Sequence, residues 1–399
     1  MKKTIRHHRA SSLTLFSVLL VASATACSAP TEPSAPAAPA ISAELLATSS
    51  KGFVRAITIN PTMVPNTDQK NFPVLVGGTF DGTNETPDLR TIANGGKVWN
   101  ANGYDVGFYA KSDCSGKLAW ETEKYDAATG QVAYWVKVAT VSHTTNTVFY
   151  LCYGSSSITS NQAAPTSVWD GNFLAVWHLA DKGGLDLTNS NGSNYVLTNS
   201  GPVASDQGKI GGGTNKFADA TYYLDNAKIA IGANKPVTIS MWKKLLAADD
   251  YEFNPEAEGN HITFGMGAEH SSLNSMTLWA PYFGTAYWYY SDGGPQTSFF
   301  PYYDRWVYIT CVYNPSASRL KALYLDGSLA TSSTNGTTTT ATVTGFRLGQ
   351  ARDGHGQDAS QFDEVRVSNI VRTADWIKTE FNNQNDPASF YAFGTEKAR

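Results

Sequence analysis

The chain has 399 residues with 30 Lys+Arg against 34 Asp+Glu, and this mildly acidic balance without a basic run excludes the electrostatic footprint of a nucleic-acid binder. No run of ~18 apolar residues occurs, which excludes a multi-pass helical membrane protein, and a 42% hydrophobic fraction excludes global disorder. Charged residues are only 16%, aromatics 12% and Gly 34 residues, a composition suited to β structure rather than to helical surfaces.

Residues 1–12 are basic and polar, and Leu13 to Ala22 form a short apolar stretch suited to a secretory h-region. The segment Ala24-Thr25-Ala26-Cys27 that follows resembles the lipobox of bacterial lipoproteins. That resemblance implies that residues 1–26 are a signal peptide and that Cys27 is acylated, each buried CH₂ contributing ~0.8 kcal/mol to anchoring. A plain signal peptide cleaved after Ala26 is the alternative. Four bases and no acid precede Cys27, so cleavage takes the net charge from −4 to −8. Residues 28–40 hold four Pro and five Ala with Glu32 as the sole charge, a semi-rigid spacer. Residues 27–50 therefore read as a linker that lifts a folded domain off a membrane.

From Phe53 the pattern is short strands with turn punctuation. Strands are predicted at Phe53–Ile59, Phe72–Val76, Tyr104–Tyr109, Lys117–Glu123, Val132–Val138 and Thr147–Tyr153. Gly-containing breaks at Asn102-Gly103, Ser115-Gly116 and Thr129-Gly130 separate most of them. Pro73 lacks an N–H and suits an edge strand or a strand start. These elements make a small β-sandwich domain at 51–160, with 161–168 as linker. A second β series fills 169–399. Its strands are predicted at Leu174–His178, Val237–Lys243, His261–Phe264, Met276–Trp279, Ala286–Tyr290, Trp306–Tyr313, Leu320–Leu325, Gly345–Leu348 and Phe362–Val367. The Ser/Thr tract Thr331–Thr342 reads as a solvated hairpin. One helix is expected at Ala374–Asn383, N-capped by Thr373, with Asp375 at its positive end.

The segments Val168-Trp169-Asp170, Ala175-Val176-Trp177-His178-Leu179, Gly208-Lys209-Ile210-Gly211-Gly212 and Thr238-Ile239-Ser240-Met241-Trp242 resemble LamG-like jelly-roll domains of the concanavalin A-like lectin/glucanase superfamily. Leu323-Tyr324-Leu325-Asp326-Gly327, Phe346-Arg347-Leu348-Gly349 and Phe362-Asp363-Glu364-Val365-Arg366 continue the likeness. Upstream, Asn71-Phe72-Pro73-Val74-Leu75-Val76, Trp120-Glu121-Thr122-Glu123 and Tyr134-Trp135-Val136-Lys137-Val138 resemble a bacterial domain of unknown function that often precedes such jelly rolls. The resemblance implies an all-β chain: a small β-sandwich, then a concanavalin A-like jelly-roll sandwich with one short C-terminal helix.

Chemistry-bearing motifs are sparse. His143, His178, His261, His270 and His355 are scattered, and no HxxEH, HExxH, GxSxG, P-loop or GxGxxG motif occurs. His178 follows Trp177 on an apolar strand and reads as a core histidine with its hydrogen bonds met. Cys114 and Cys152 lie in one domain, and export permits a disulfide between them. Whether they come close enough stays open. Cys311 reads as a small buried hydrophobe. Glycosidases use two carboxylates ~5–9 Å apart. The closest evenly spaced pair is Glu121 and Glu123, read as surface carboxylates on a half-exposed strand. Asp363 and Glu364 are adjacent, so a regular strand sends them to opposite faces. Glu252, Glu256 and Glu258 sit in a loop. No catalytic residue is named.

Aromatic density carries the most information. Residues 278–308 hold 13 of the chain's 48 aromatics. In Tyr287-Trp288-Tyr289-Tyr290 both strand faces are aromatic, and only one of them can be core. Rings with polar handles suit stacking on sugar faces, with Asp292, Gln296 or Asp304 nearby for hydrogen bonds. Trp279, Tyr282, Trp288, Tyr290 and Tyr302 are the expected ligand platform, with Trp288 and Tyr290 as the accessible pair. The LamG resemblance also implies a possible Ca²⁺ ion, with Asp181, Asp186, Asp353 and Asp358 offering hard oxygens. No other cofactor is implied. The reading is an exported, lipid-anchored protein of the bacterial cell envelope or surface that binds a glycan or a surface partner, leaning to no catalysis. Two other readings stay open: a polysaccharide-acting glycoside hydrolase or lyase, and a structural envelope protein without a small ligand.

Overall fold

The computed structural model describes residues 51–399 except 257–258, 268–273, 291–292 and 337–338. Cys27, the leader and the Pro/Ala linker lie outside the described residues, as do Glu258, His270 and Asp292. The described residues fall within one contact unit.

Six strands found the first sandwich: β1 (Phe53–Ile59), β2 (Gln69–Thr79), β3 (Gly107–Tyr109), β4 (Trp120–Tyr125), β5 (Gln131–Val141) and β6 (Thr147–Tyr153). β1, β6 and β3 lie in one antiparallel sheet, and β2, β5 and β4 form the other. Alternation turns Tyr134 and Val136 of β5 into the sandwich and Trp135 out of it. Trp135 is nevertheless fully buried, because a second body covers that outer face. The strand expected from Tyr104 begins only at Gly107. The Asp105 carboxylate accepts the backbone N–H groups of Trp99 and Asn100 at 2.8 and 2.9 Å and holds the chain in a loop. Cys114 and Cys152 are disulfide-bonded, their Cα atoms 6.3 Å apart.

The second series continues as β7 (Phe173–Trp177), β8 (Thr198–Ser200), β9 (Ser205–Ile210), β10 (Gly212–Thr214), β11 (Tyr223–Ile231), β12 (Val237–Lys244) and β13 (Asn260–Met266). β14 (Met276–Tyr282), β15 (Thr285–Tyr290), β16 (Gln296–Ser298), β17 (Trp306–Asn314), β18 (Leu320–Leu325) and β19 (Ser328–Ser333) follow. β20 (Val343–Leu348), β21 (Gln361–Ser368), β22 (Tyr391–Phe393) and β23 (Lys397–Ala398) complete the order. A six-stranded sheet, β19-β18-β17-β12-β21-β7, packs on a seven-stranded sheet, β16-β15-β14-β13-β20-β11-β8. Ile239, Met241, Ile309, Cys311, Val365 and Val367 of the first face Phe264, Leu278, Trp288 and Phe346 of the second in one core. The Ser/Thr tract joins β19 to β20, which lie in opposite sheets, so it is a crossover and not a hairpin. The chain thus builds β-sandwiches throughout, the second body from a six-stranded and a seven-stranded sheet.

The six-stranded sheet is buried on both faces. Its outer face carries Val176, Thr238, Ser240, Tyr308, Thr310, Glu364 and Arg366, all under 5% exposed. The β2-β5-β4 sheet and a helix at Ala374–Asn385 cover that face. The helix is N-capped as expected, Thr373 Oγ1 accepting from Trp376 N at 3.1 Å. Its apolar residues serve two bodies. Trp376 packs edge-on against Phe72 at 4.8 Å, and Ile377 packs with Val312 and Ala322. Asn383 completes the exposed edge of β2, accepting from Leu75 N at 2.7 Å and donating to Leu75 O at 3.0 Å. A side-chain amide here stands in for a missing neighbour strand.

The expected boundary of the second domain at 399 needs correction. β22 and β23 pair with β1, so the C-terminus returns to finish the first sandwich. A single hydrophobic cluster correspondingly joins Trp120, Tyr134 and Phe72 of the first body to Trp169, Phe173, Val176 and Trp376.

Candidate functional site

The aromatic strand resolves by register. β14 and β15 pair Met276 with Tyr290 and Leu278 with Trp288. Met276 and Leu278 point into the core, so Trp288 and Tyr290 do too, and both are fully buried. Trp288 Nε1 donates to Val312 O at 3.3 Å, across the core. The assignment of Trp288 and Tyr290 to the accessible face is therefore reversed. Period two puts Tyr287, Tyr289 and Trp279 on the outer face instead. Trp279 lies stacked under Tyr287 with centroids 5.8 Å apart, and meets the edges of Tyr289 at 5.7 Å and Tyr282 at 6.1 Å. Trp279, expected in the accessible platform, is instead buried beneath this layer with Ile262 and Ala351; Tyr287 and Tyr289 are half-buried, and Tyr282 is 45% exposed. Tyr302 does not join them. It packs on Phe299 at the core margin and carries the Arg305 guanidinium 4.9 Å from its ring centroid.

The outer face continues into a rim that the sequence reading missed. Tyr282 touches Phe283 at 5.0 Å, and Phe283 touches Tyr251 at 5.8 Å. Phe253 touches Phe300 at 5.8 Å beyond them. All five rings are at least 45% exposed. Contiguous exposed aromatics of this kind mark interaction surfaces. The available signal was the Tyr251/Phe253 pair two residues apart beside the Phe283-Gly284 turn.

A second constellation lies between the bodies, and the sequence reading placed its members apart. Glu121 and Glu123 of β4 are 5% and 4% exposed, so they are not surface carboxylates. Both turn away from the first sandwich toward the six-stranded sheet, with a register shift between Thr122 and Lys124. Asp363 and Glu364 of β21 do not point oppositely. β21 carries an extra residue against β12, and Glu364 adopts a left-handed φ of 54°. A bulge of this kind re-aims a side chain, and both carboxylates lie on the outer face, fully buried.

His178, at the end of β7, is the hub. Its Nδ1 lies 2.6 Å from Glu364 Oε1 and 3.6 Å from Glu123 Oε2, and its Nε2 lies 3.2 Å from Glu121 Oε2. Indole N–H groups hold the acids: Trp135 Nε1 donates to Glu123 Oε2 at 2.8 Å and Trp169 Nε1 to Glu121 Oε2 at 2.9 Å. The Arg366 guanidinium donates to Glu364 Oε2 at 2.6 Å and to Glu380 Oε1 at 2.5 Å, lying 4.4 Å from the Trp135 centroid. Two acceptors here have no hydrogen-bond partner, Glu123 Oε1 and Asp363 Oδ1. Gly211, at φ +59°, closes over Glu123, and a Cβ there would meet Glu123 Oε1 at 1.9 Å. This explains a glycine in the Ile210-Gly211-Gly212 segment. Lys124 Nζ ties the same segment down by donating to Gly211 O at 2.9 Å.

Burial and charge set the protonation pattern. Burial, then the Glu364 charge, pushes Glu123 up to about 8. The same two causes hold Asp363 well above the usual carboxylate range. Burial opposes ionisation of Glu364, but His178 and Arg366 outweigh it and hold its carboxyl low. Burial also opposes charge on His178, and the Glu364 and Glu121 carboxylates outweigh it, raising the imidazole well above its usual range. At neutral pH the cluster is a hydrogen-bonded network of ionised and neutral acids around two cations.

The four candidate Ca²⁺ ligands do not share one role. Asp181 accepts from Gly183 N and Gly184 N, Asp186 pairs with Lys182, and Asp353 accepts from His355 N. Asp358 is fully buried against Lys243 and His261. Among the described residues, the group of three His/Cys/Asp/Glu side chains that converges is Glu123, His178 and Glu364.

Residues 218–378 match the profile of the Concanavalin A-like lectin/glucanases superfamily, and residues 102–173 match a Domain of unknown function (DUF2341). No curated protein matches the chain. Among solved structures, the botulinum neurotoxin serotype D ligand binding domain, in complex with N-acetylneuraminic acid, aligns at 12% identity with a TM-score of 0.42. The alignment covers 55% of this chain and 53% of that one, so the chain spans about half the length of that structure. Domain 4 of the GH43 extracellular arabinanase AbnA from Geobacillus stearothermophilus, in complex with arabinotriose, aligns at 17% identity with a TM-score of 0.37, covering 53% and 98%. The chain carries a domain of the DUF2341 type followed by a concanavalin A-like domain.

Proposed function

We propose that the chain is a lipid-anchored bacterial cell-surface protein that binds a glycan on the outer aromatic face of its jelly roll, without catalytic chemistry of its own. The observation that carries this reading is the continuity of that face: Trp279 under Tyr287, Tyr289 and Tyr282, then Phe283 and Tyr251. Flat rings with hydroxyl handles fit the apolar faces of pyranose rings and the polar groups at their edges. The evenly spaced carboxylates Glu121 and Glu123, which a hydrolase would need facing substrate, are sealed against His178 instead.

A glycan array on the purified chain tests the reading, with product analysis of every hit to separate a binder from a hydrolase or lyase. Tyr282→Ala and Tyr287→Ala should each lower retention on the best glycan by at least tenfold while the chain stays folded. Unchanged retention in both variants refutes this face as the site. The anchoring half rests on the small residues before Cys27. Cys27→Ser should leave the chain unacylated, and a mature-sized variant that still partitions with membranes as wild type does refutes it.

A further inference from the structure

We propose that Glu123, His178 and Glu364 form a binding site for one divalent transition-metal ion, sealed between the two bodies of the chain. The three side chains come from three separate elements, β4, the end of β7 and the bulge of β21. Their ligand atoms lie within 4.8 Å of one another. His178 Nδ1 is 2.6 Å from Glu364 Oε1 and 3.6 Å from Glu123 Oε2. Ligands at ~2.0–2.2 Å around one tetrahedral ion stand roughly 3.3–3.6 Å apart, so the Glu123 spacing fits as it stands and the Glu364 carboxylate would draw back from Nδ1 by about an ångström. The cation would take the place of the Nδ1 proton that now bridges to Glu364.

Three further observations point to a cation. Glu123 Oε1 is buried with no hydrogen-bond partner, and so is Asp363 Oδ1. A buried acceptor left open costs free energy that a bound cation would remove. The surroundings also supply an outer shell. Glu121 engages Nε2 of His178, which leaves Nδ1 for the metal, the carboxylate–histidine–metal arrangement that fixes a tautomer. Arg366 takes Glu364 Oε2 and leaves Oε1 facing Nδ1, while Glu123 Oε2, the oxygen nearest Nδ1, is held in place by the Trp135 N–H. Finally, the strained φ of 54° at Glu364 is what aims that carboxylate at His178, and strain of this kind concentrates at functional positions.

Imidazole with two carboxylates suits Zn²⁺ or Mn²⁺ and is a poor match to Ca²⁺, which takes 6–8 oxygens. The ligand side chains are buried, and of the three only Glu123 borders a surface cleft of about 570 Å³, which Asp126, Asp181 and Lys182 also line. This inference is independent of glycan binding, since the aromatic face belongs to a different sheet.

The test is metal content and thermal unfolding of the full chain, stripped with chelator and then dialysed against micromolar Zn²⁺, Mn²⁺ or Ca²⁺. The expected result is about one equivalent of Zn²⁺ or Mn²⁺ retained, with a melting midpoint several degrees higher than in the stripped chain, and no retention of Ca²⁺. Glu123→Gln keeps an acceptor for the Trp135 N–H but cannot ionise to ligate a metal. It should lose the metal and the metal-dependent shift while the stripped form melts as wild type does. His178→Gln should lose both as well. If His178→Gln fails to fold, Co²⁺ loading of wild type and Glu123→Gln replaces it. A visible ligand-field band in wild type only supports the site. Less than a tenth of an equivalent of Zn²⁺ and Mn²⁺ bound by wild type, or equal binding by wild type and Glu123→Gln, overturns the proposal and leaves a proton-sharing network.

Discussion

Trp288→Ala and Tyr289→Ala probe adjacent residues of one strand and should part completely. Trp288 is fully buried, 5.7 Å from Phe264 and 6.1 Å from Tyr290 by ring centroid, and its indole N–H reaches Val312 O at 3.3 Å. Truncation removes the ring, leaves a cavity between the two sheets and strands that contact. Core Trp→Ala changes cost ~3–5 kcal/mol. At ~2–4 °C per kcal/mol for domains of 150–250 residues, the melting midpoint should fall by roughly 10 °C. Tyr289 is half-buried on the opposite face, where it meets Trp279 and Tyr287 and packs on the small cluster of Ile262, Trp279 and Ala351. Its truncation opens no closed cavity and should cost about 1 kcal/mol. Calorimetry gives the stability of each variant and affinity electrophoresis in polysaccharide gels gives binding. Trp288→Ala should lower stability and keep binding below its new midpoint, and Tyr289→Ala should do the reverse. Equal destabilisation by both would refute the division of the strand into a core face and a ligand face.

The disulfide joins residues 38 apart in sequence, and the loop-entropy relation assigns such a crosslink ~4 kcal/mol. The Cys114→Ser/Cys152→Ser double variant should show that loss in urea unfolding, and a loss below 1 kcal/mol would contradict it. Asn383→Ala uncovers the N–H and C=O of Leu75 on the edge of β2. It should cost ~1–3 kcal/mol per orphaned group and speed hydrogen exchange at Leu75. In the second buried network, burial opposes ionisation of Asp358, but Lys243 and His261 outweigh it and hold its carboxyl down to about 2. Stability from Asp358 is therefore full above the ordinary 3.8 and is lost as pH falls through about 2. His261 is raised to about 9, with burial opposing and Asp250 and Asp358 prevailing, so its contribution is full below 6.5 and is lost as pH rises through about 9. Asp358→Asn should flatten the acid limb of the stability profile and, by stranding the Lys243 charge, cost ~3–5 kcal/mol at neutral pH.

What the sequence revealed and what it hid divide along one physical line. Period-two alternation and turn residues are local, and β1, β6, β12, β17 and β21 stand close to their expected bounds. The Thr373 cap is local as well. The polar outer face of the six-stranded sheet, with Thr238, Ser240, Thr310, Glu364 and Arg366 buried on it, has no counterpart in the local pattern. They are buried by a body elsewhere in the chain, which no period within a strand encodes. The even spacing of Glu121 and Glu123 correctly put them on one face, but their burial depends on His178, more than 50 residues away. Glu364 was missed for a different reason: a bulge breaks the alternation on which the opposite-face argument rested. In the aromatic strand the alternation itself was sound. Only the choice of inward face was wrong, and that is set by the pairing with Met276 and Leu278.

The placement of the buried cluster follows from this topology. A jelly roll whose outer sheet face were solvated would gain nothing from Glu364, Arg366 and His178 on it beyond solubility, since exposed ion pairs contribute ~0–1 kcal/mol. Covered by β4 and β5, the same residues carry a large desolvation cost, which only well-aimed partners offset. Those partners are supplied from both sides: Glu121, Glu123 and Trp135 from the first body, Glu364, Arg366 and Trp169 from the second. Arg366 also reaches Glu380 on the helix, and the chain beyond that helix returns to β1. His178, Glu364 and Arg366 find their charged partners only when the two bodies and the helix are seated together. A mis-seated arrangement leaves buried charge unpaired, whereas apolar contacts such as Phe72 on Trp376 tolerate a shift of a fraction of an ångström. The apolar residues of the junction thus supply its strength, and the histidine–carboxylate–arginine cluster fixes its register.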